Sequence, residues 1–392
     1  NETRRCPNYQ YRIVSYQIDT NSISRTSRKF NDFCIPFLYH DINLLDNDIE
    51  SEYIALLSQY THHVRTIRLV IDPPHRGIDD AEVQKYEPER SALIERCSEV
   101  TSVALYFNNH LLSIGEVGPS ILKLIQLGNI RSFGIYSQRM LQEKFVDMKG
   151  DGDLVHLLES ILGIPEMIHS LKYLDIVMGS LSPGLYAQVR ALVASLTSLT
   201  MRQPLSYLDD LGWEISNRLN WSPSTQMQRL NLVACSGALI YQIPALVGHF
   251  KSLRYLLTSS CGSDTDIRLG SRSPGWSHSP HALCNQHIPL EEFHIECMDE
   301  LDIFVMGTIP VQRLIITRIS ALGVIEVLQK DQEIFPSLRY LSLNKEMKTN
   351  HYGKGEWRQH LSTMLDLEAV CRQRNIALSF DADNILNFYV SI

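Results

Sequence analysis

The sequence has little of what a membrane or a nucleic-acid partner requires. No apolar run approaches the roughly 18 consecutive residues that a membrane-spanning helix needs. The chain carries a net charge of −8 and has a pI of about 6.0, so it lacks the basic excess that is typical of nucleic-acid binders. We therefore expect neither a membrane nor a nucleic acid among its partners.

Paired cysteines and catalytic motifs are missing as well. The eight cysteines are scattered, with no C-x-x-C pair. In a chain of 392 residues this indicates reduced, mostly buried thiols and predicts a cytoplasmic or nuclear protein. The sequence has no G-x-S-x-G, no H-E-x-x-H and no phosphate-binding P-loop. The sequence therefore predicts that the protein is not an enzyme and uses no cofactor.

What the sequence does contain is a repeated five-residue word. Residues 170–174 read Ser-Leu-Lys-Tyr-Leu, and residues 252–256 and 337–341 both read Ser-Leu-Arg-Tyr-Leu. The words start 82 and then 85 residues apart, and each gap contains two further strand-like segments. Each gap therefore divides into three units of about 28 residues, which lies within the length range of leucine-rich repeats.

The units predict strands that alternate with helices. Each strand shows apolar residues in the pattern apolar-x-x-apolar-x-apolar, and most of the segments between strands have apolar residues at helical spacing. Strands are expected near residues 42, 67, 103, 133, 174, 199, 230, 256, 293, 314, 341 and 376. Stacked units place these strands parallel in one curved sheet. The predicted fold is an α/β leucine-rich-repeat solenoid, like that of ribonuclease inhibitor, over residues 39–392.

The solenoid geometry also predicts a binding face. In each strand the residue between the last two apolar anchors points away from the core. We expect these outward side chains to be exposed on the concave face and to bind a protein substrate. The candidates are Arg68, Asp175, Asn231, His294, Ile315 and Ser342.

Residues 262–288 are rich in Ser, Gly, Asp and Pro, and we expect them to form a flexible insertion. They contain His278, His281, Cys284 and His287 at three-residue intervals. Zinc sites normally place two ligands on a tight turn and repeat the pair, whereas this run spaces single ligands evenly. The sequence therefore predicts no metal site here.

Residues 1–38 do not follow the repeat pattern. Residues 12–16 are mostly apolar, 27–33 read Ser-Arg-Lys-Phe-Asn-Asp-Phe, and 34–39 read Cys-Ile-Pro-Phe-Leu-Tyr before the first strand. This order resembles the second half of an F-box, a short α-helical segment. The whole is similar to F-box proteins with irregular leucine-rich repeats of the fungal type. Only Pro7 corresponds to the opening Leu-Pro of that family, so the N-terminal part of the F-box is degenerate or missing.

The resemblance implies a role in ubiquitin transfer. The F-box-like segment would dock on the Skp-type adaptor of a cullin–RING (SCF-type) ubiquitin ligase, and the repeats would bind the substrate. The alternative is that 1–38 only caps the solenoid, which would then be a scaffold with no ligase role. By match to the family, the adaptor-binding residues are Ile13, Val14, Tyr16, Ile23, Phe30, Phe33, Ile35, Pro36 and Leu38.

Overall fold

Parallel strands form the framework of the structure, which is a computed structural model. It describes residues 34–45, 57–71, 92–107, 123–126, 129–137, 159–177, 183–202, 224–235, 243–260, 289–296, 307–317, 321–330, 334–343 and 356–380. The chain forms two compact units. The first contains Asn1–Asp147 and Asp151–Ser170, and the second contains Met148–Gly150 and Leu171–Ile392.

The first unit contains four strands. They are β1 (Asp41–Leu45), β2 (Thr66–Ile71), β3 (Ser102–Phe107) and β4 (Ser132–Ser137). Each strand pairs in parallel with the next one in the chain, without a shift of register. Ile42, Ile67, Val103 and Phe133 thereby align across the sheet.

The second unit contains eight strands. They are β5 (Tyr173–Val177), β6 (Ser198–Arg202), β7 (Arg229–Cys235), β8 (Tyr255–Ser260), β9 (Leu290–Glu296), β10 (Val311–Thr317), β11 (Tyr340–Leu343) and β12 (Ala377–Phe380). All their pairings are parallel and follow chain order. Parallel neighbours need a crossover between them, and helices occupy the described parts of several of these crossovers.

The residues that the structure describes include five named helices between or beside these strands. They are α1 (Pro165–Ser170), α2 (Pro183–Val193), α3 (Ile243–Gly248), α4 (Ala321–Lys330) and α5 (Glu356–Gln373), with a 3₁₀ turn at Thr61–His63. Residues 34–38, 92–96, 123–126 and 159–162 are also helical. In α2, Val189, Leu192 and Val193 are buried because their spacing places them on one face.

The apolar anchors of the repeat form the core. In the repeat that contains β5, for example, Leu171, Leu174 and Ile176 are each at most 2% exposed. From β2 onward, the other repeats with three apolar anchors bury all three positions in the same way, whereas the first repeat buries Ile42 and Leu44 and leaves Tyr39 half-buried. The predicted strands are therefore confirmed at all twelve positions, and the last of them begins one residue later than expected.

A recurring backbone arrangement joins neighbouring strands from β1 to β4 and from β5 to β9. The carbonyl oxygen of Lys172 accepts hydrogen bonds from two successive amides, Thr197 N at 2.8 Å and Ser198 N at 3.0 Å. We call this a forked carbonyl. Seven carbonyls in the described residues are forked in this way: those of His40, Arg65, Thr101, Lys172, Thr197, Gln228 and Arg254. Each fork fixes the register at the point where the next strand begins.

Helix α5, in the last repeat, ends in a well-defined cap. Asn375 follows α5 with a φ of 57°, the left-handed conformation that asparagine tolerates better than most residues. The Ile376 amide then donates to the Cys371 carbonyl at 2.8 Å, which is the six-residue bond of a Schellman cap. The cap turns the chain directly into β12, and α5 packs against both β12 and α4.

Candidate protein-binding surfaces

In the second unit, the face of the sheet opposite the core anchors consists of side chains in register. We define the strand-start row as the outward residues that enter each strand. It consists of Tyr173, Ser198, Arg229, Tyr255, Glu292, Arg313, Tyr340 and Ala377. The central row lies two residues further along each strand. It consists of Asp175, Thr200, Asn231, Leu257, His294, Ile315 and Ser342, and the exposed Ser379 follows at its end on β12.

The central row is buried, and the prediction that its side chains are exposed was wrong. The five candidates in this unit are only 2–5% exposed: Asp175, Asn231, His294, Ile315 and Ser342. Alternation along a strand shows which face a residue is on, but it does not show how much of that face is covered. Neighbouring strands lie about 4.8 Å apart, so side chains in one row contact one another. A partner cannot reach this row as it stands.

The polar groups of the central row interact with each other. The Asn231 amide nitrogen donates to the Thr200 hydroxyl oxygen at 3.0 Å across β6 and β7. The Asn231 Oδ1 atom is buried and accepts no hydrogen bond from the residues that the structure describes. Such a row favours one particular register of the strands, because a shifted register would leave more polar atoms unsatisfied.

His294 lies between two apolar side chains of the central row. Leu257 on β8 and Ile315 on β10 are its register neighbours, and both are buried. Burial in this setting lowers the pKa of His294 to about 4. The imidazole is therefore neutral at physiological pH, which makes His294 a packing residue of the row.

The strand-start row, in contrast, is accessible. Tyr173 is 51% exposed and Tyr340 is 56% exposed. The apolar anchor pattern did not separate this row from the central one, because both point to the same face of the sheet. The repeated words at 170–174, 252–256 and 337–341 mark it, since each contributes a tyrosine to the row.

Near the middle of this row, side chains form a linked network. The Arg229 guanidinium lies over the Tyr255 ring, 5.2 Å from its centroid. The Tyr255 hydroxyl donates to Glu291 Oε2 at 2.8 Å, and Arg254 pairs with the same carboxylate at 3.2 Å. The hydrogen bond to Glu291, burial and the charge of Glu291 together raise the pKa of Tyr255.

A second ion pair continues the row. Arg313 on β10 pairs with Glu292 on β9 at 3.3 Å. Burial raises the pKa of Glu292, whereas the positive charges of Arg313 and Arg229 act in the opposite direction. The glutamates of β9 therefore compensate two of the arginines, Arg254 and Arg313.

Arg68, the candidate in the first unit, lies on β2 opposite Asn43 and Ala104. It is half-buried, so the predicted exposure holds only in part. Burial alone would raise the pKa of the nearby Asp41 carboxyl. Hydrogen bonds from Thr66 and His40, with the charges of His40 and Arg68, outweigh burial and lower it. Arg68 thus has an electrostatic role within the fold.

The described part of the F-box-like segment is the helical stretch 34–38. Ile35 and Leu38 are half-buried there, while Pro36 is exposed. Phe37, which the sequence comparison did not select, is 72% exposed. The following Tyr39 stacks on Tyr60 with ring centroids 4.3 Å apart, and this contact ties the segment to the chain before β2.

Several predictions lie outside the described residues. They concern the adaptor candidates Ile13, Val14, Tyr16, Ile23, Phe30 and Phe33, the insertion at 262–288, and its histidines and cysteine. Within the described ranges, no cluster of three or more His, Cys, Asp or Glu side chains is arranged to hold a metal ion. The helices in those ranges include none that is long and apolar enough to cross a membrane.

Comparison with known proteins does not assign the chain to a family. Neither a scan against protein-family models nor a search of curated protein sequences gives a match.

Proposed function

We propose that this protein is the substrate receptor of a cullin–RING ubiquitin ligase, acting in the cytoplasm or nucleus. In this function the F-box-like segment docks on a Skp-type adaptor, and the repeats bind a protein substrate. The observation that carries the proposal is the exposed apolar end of the segment, where Pro36 and Phe37 lie directly before the first repeat strand.

The exposure of Phe37 needs a physical explanation. A phenylalanine that is 72% exposed gains little of the hydrophobic stabilisation that its burial would give. A large apolar side chain held in this way is typical of an interface anchor. The stacking of Tyr39 on Tyr60 places the anchor next to the repeats, so a bound adaptor would lie beside the first strands.

The proposal is tested by the affinity of the full chain for a purified Skp-type adaptor, measured by calorimetry. Phe37→Ala should weaken binding by about tenfold, because it removes one central anchor. Its melting temperature should stay close to that of the wild type, since the ring is mostly in water. Leu365→Ala is the matched control, because Leu365 is also a large apolar residue, 58% exposed, and lies on α5. This variant should bind as the wild type does.

Equal affinity of Phe37→Ala and the wild type would contradict the assignment of Phe37. Failure of the wild-type chain to bind any Skp-type adaptor would contradict the ligase role itself. The alternative function, a leucine-rich-repeat scaffold with a non-functional F-box remnant, would then remain.

A further inference from the structure

Basic residues accompany the tyrosines of the strand-start row. Lys172 precedes Tyr173, Arg254 precedes Tyr255 and Arg339 precedes Tyr340, at β5, β8 and β11. Every third strand therefore presents a basic–tyrosine pair. With strands about 4.8 Å apart, successive pairs lie about 14 Å from each other, which is close to the length of four residues of an extended peptide.

The edge of the sheet that carries these pairs has an excess of positive charge. It includes two acidic residues, Glu291 and Glu292, and five basic ones: Lys172, Arg229, Arg254, Arg313 and Arg339. The whole chain, in contrast, carries a net charge of −8. Arg339 makes no ion pair with any part of the chain that the structure describes. Its charge is therefore available to a partner.

Arg339 also lies at a groove. The groove has a volume of about 700 Å³ and lies where β10, β11 and β12 begin. Pro289, Gln312, Arg339, Tyr340, Asn375 and Ala377 are among the residues that line it. Arg374 lines it too, but its guanidinium already donates to the carbonyl oxygens of Leu328 and Ile334. The groove thus combines one uncompensated guanidinium with one exposed tyrosine ring.

We propose that this groove binds an acidic linear segment of a protein partner. A carboxylate of the segment pairs with the Arg339 guanidinium, and the Tyr340 ring packs against the neighbouring residue of the segment. The segment continues along the strand-start row towards Tyr255 and Arg254. The proposal deepens the substrate-binding half of the proposed function by naming the chemistry of the substrate, and it involves no adaptor contact.

The charges of the row favour a peptide over a nucleic acid. A nucleic acid would bring a continuous line of phosphates past Glu291 and Glu292, which would repel them. A peptide carries its carboxylates at separate positions, so it can place one at Arg339 and leave neutral residues opposite the glutamates. The polar side chains of Gln312 and Asn375, which line the groove, can then bond its backbone.

The experiment is a fluorescence-anisotropy titration of the full chain with a labelled twelve-residue peptide. The peptide carries glutamate at every fourth position and serine elsewhere, and its neutral copy has glutamine in place of glutamate. We expect the acidic peptide to bind and the neutral copy to bind at least about fivefold more weakly. Arg339→Gln should lower the affinity for the acidic peptide by about fivefold. Arg372→Gln on α5, which removes another exposed arginine outside the groove, should leave it within about twofold.

Three results would overturn the proposal. They are no binding of the acidic peptide, equal affinity of Arg339→Gln and the wild type, and tighter binding of a single-stranded oligonucleotide than of the acidic peptide. No adaptor is present in this assay, so its outcome is independent of the Phe37 test. Arg339→Gln should bind a Skp-type adaptor with wild-type affinity, which separates a failure here from a failure of the ligase role.

Discussion

Lowering the pH should destabilise the protein through His294, and the size of this effect follows from its burial. The pKa of His294 is about 4 in the folded chain, whereas the ordinary histidine value of 6.5 applies after unfolding. As the pH falls below 6.5, the unfolded chain takes up a proton that the folded chain does not. The stability due to the neutral, buried ring is therefore lost progressively between pH 6.5 and 4. Proton linkage therefore lowers the free energy of unfolding by about 2 kcal/mol at about pH 5 and by about 3 kcal/mol at about pH 4.

The measurement is the free energy of unfolding in urea at about pH 7.5 and about pH 5, for the wild type and for His294→Gln. Other groups titrate in both proteins, so the difference between the two pH dependences isolates His294. The variant should lose about 2 kcal/mol less than the wild type when the pH is lowered. Identical losses would refute the reasoning, because they would mean that the imidazole is hydrated or charged within the fold.

Three further substitutions test the packing described above. Leu341→Ala removes a core anchor that is 1% exposed and should lower the free energy of unfolding in urea by about 2–5 kcal/mol. Tyr340→Ser, on the outward face, should lower it by about 1 kcal/mol. Equal losses would mean that the inward and outward assignments are wrong. Gly134→Ala would place a Cβ 2.6 Å from the Tyr136 hydroxyl oxygen, so it should displace Tyr136 from its stacking on Tyr106. The loss of this stacking should appear as a loss of the tyrosine signal in near-ultraviolet circular dichroism. Asn375→Ala should lower the free energy of unfolding by about 1 kcal/mol, whereas Asn375→Gly should not, because only glycine adopts a φ of 57° without strain. Equal melting temperatures for the two variants would contradict this account of the cap.

The sequence predicts the core of this fold well, because the core depends on spacing. Leu174 and Leu341 occupy the same place in repeated words, and both are buried as that place requires. The helices α1 and α3 were not predicted. Each has six residues, fewer than two turns, and so gives too few apolar positions for a helical period to show.

The candidate surfaces are harder to predict from sequence, because they depend on what covers a side chain. His294 was placed on the correct face of its strand, yet it is buried, since alternation says nothing about its neighbours in the row. Phe37 was not predicted as an adaptor-binding residue, although its neighbours Ile35 and Pro36 were. Its exposure depends on which parts of the chain pack against the segment, and the stacking of Tyr39 on Tyr60 shows that such contacts come from residues distant in the sequence.

The forked carbonyls have a consequence for how the chain can change in length. Each strand in a unit takes its backbone partners from its neighbours in chain order, and the same joint recurs from β1 to β4 and from β5 to β9. Within these stretches a strand and its connection could be deleted or duplicated, and the flanking strands would meet through the same two amide bonds. The basic–tyrosine pairs, however, recur only at every third strand. Gain or loss of three repeats at a time would therefore keep the pairs in phase, whereas gain or loss of one would bring the wrong side chain to the edge.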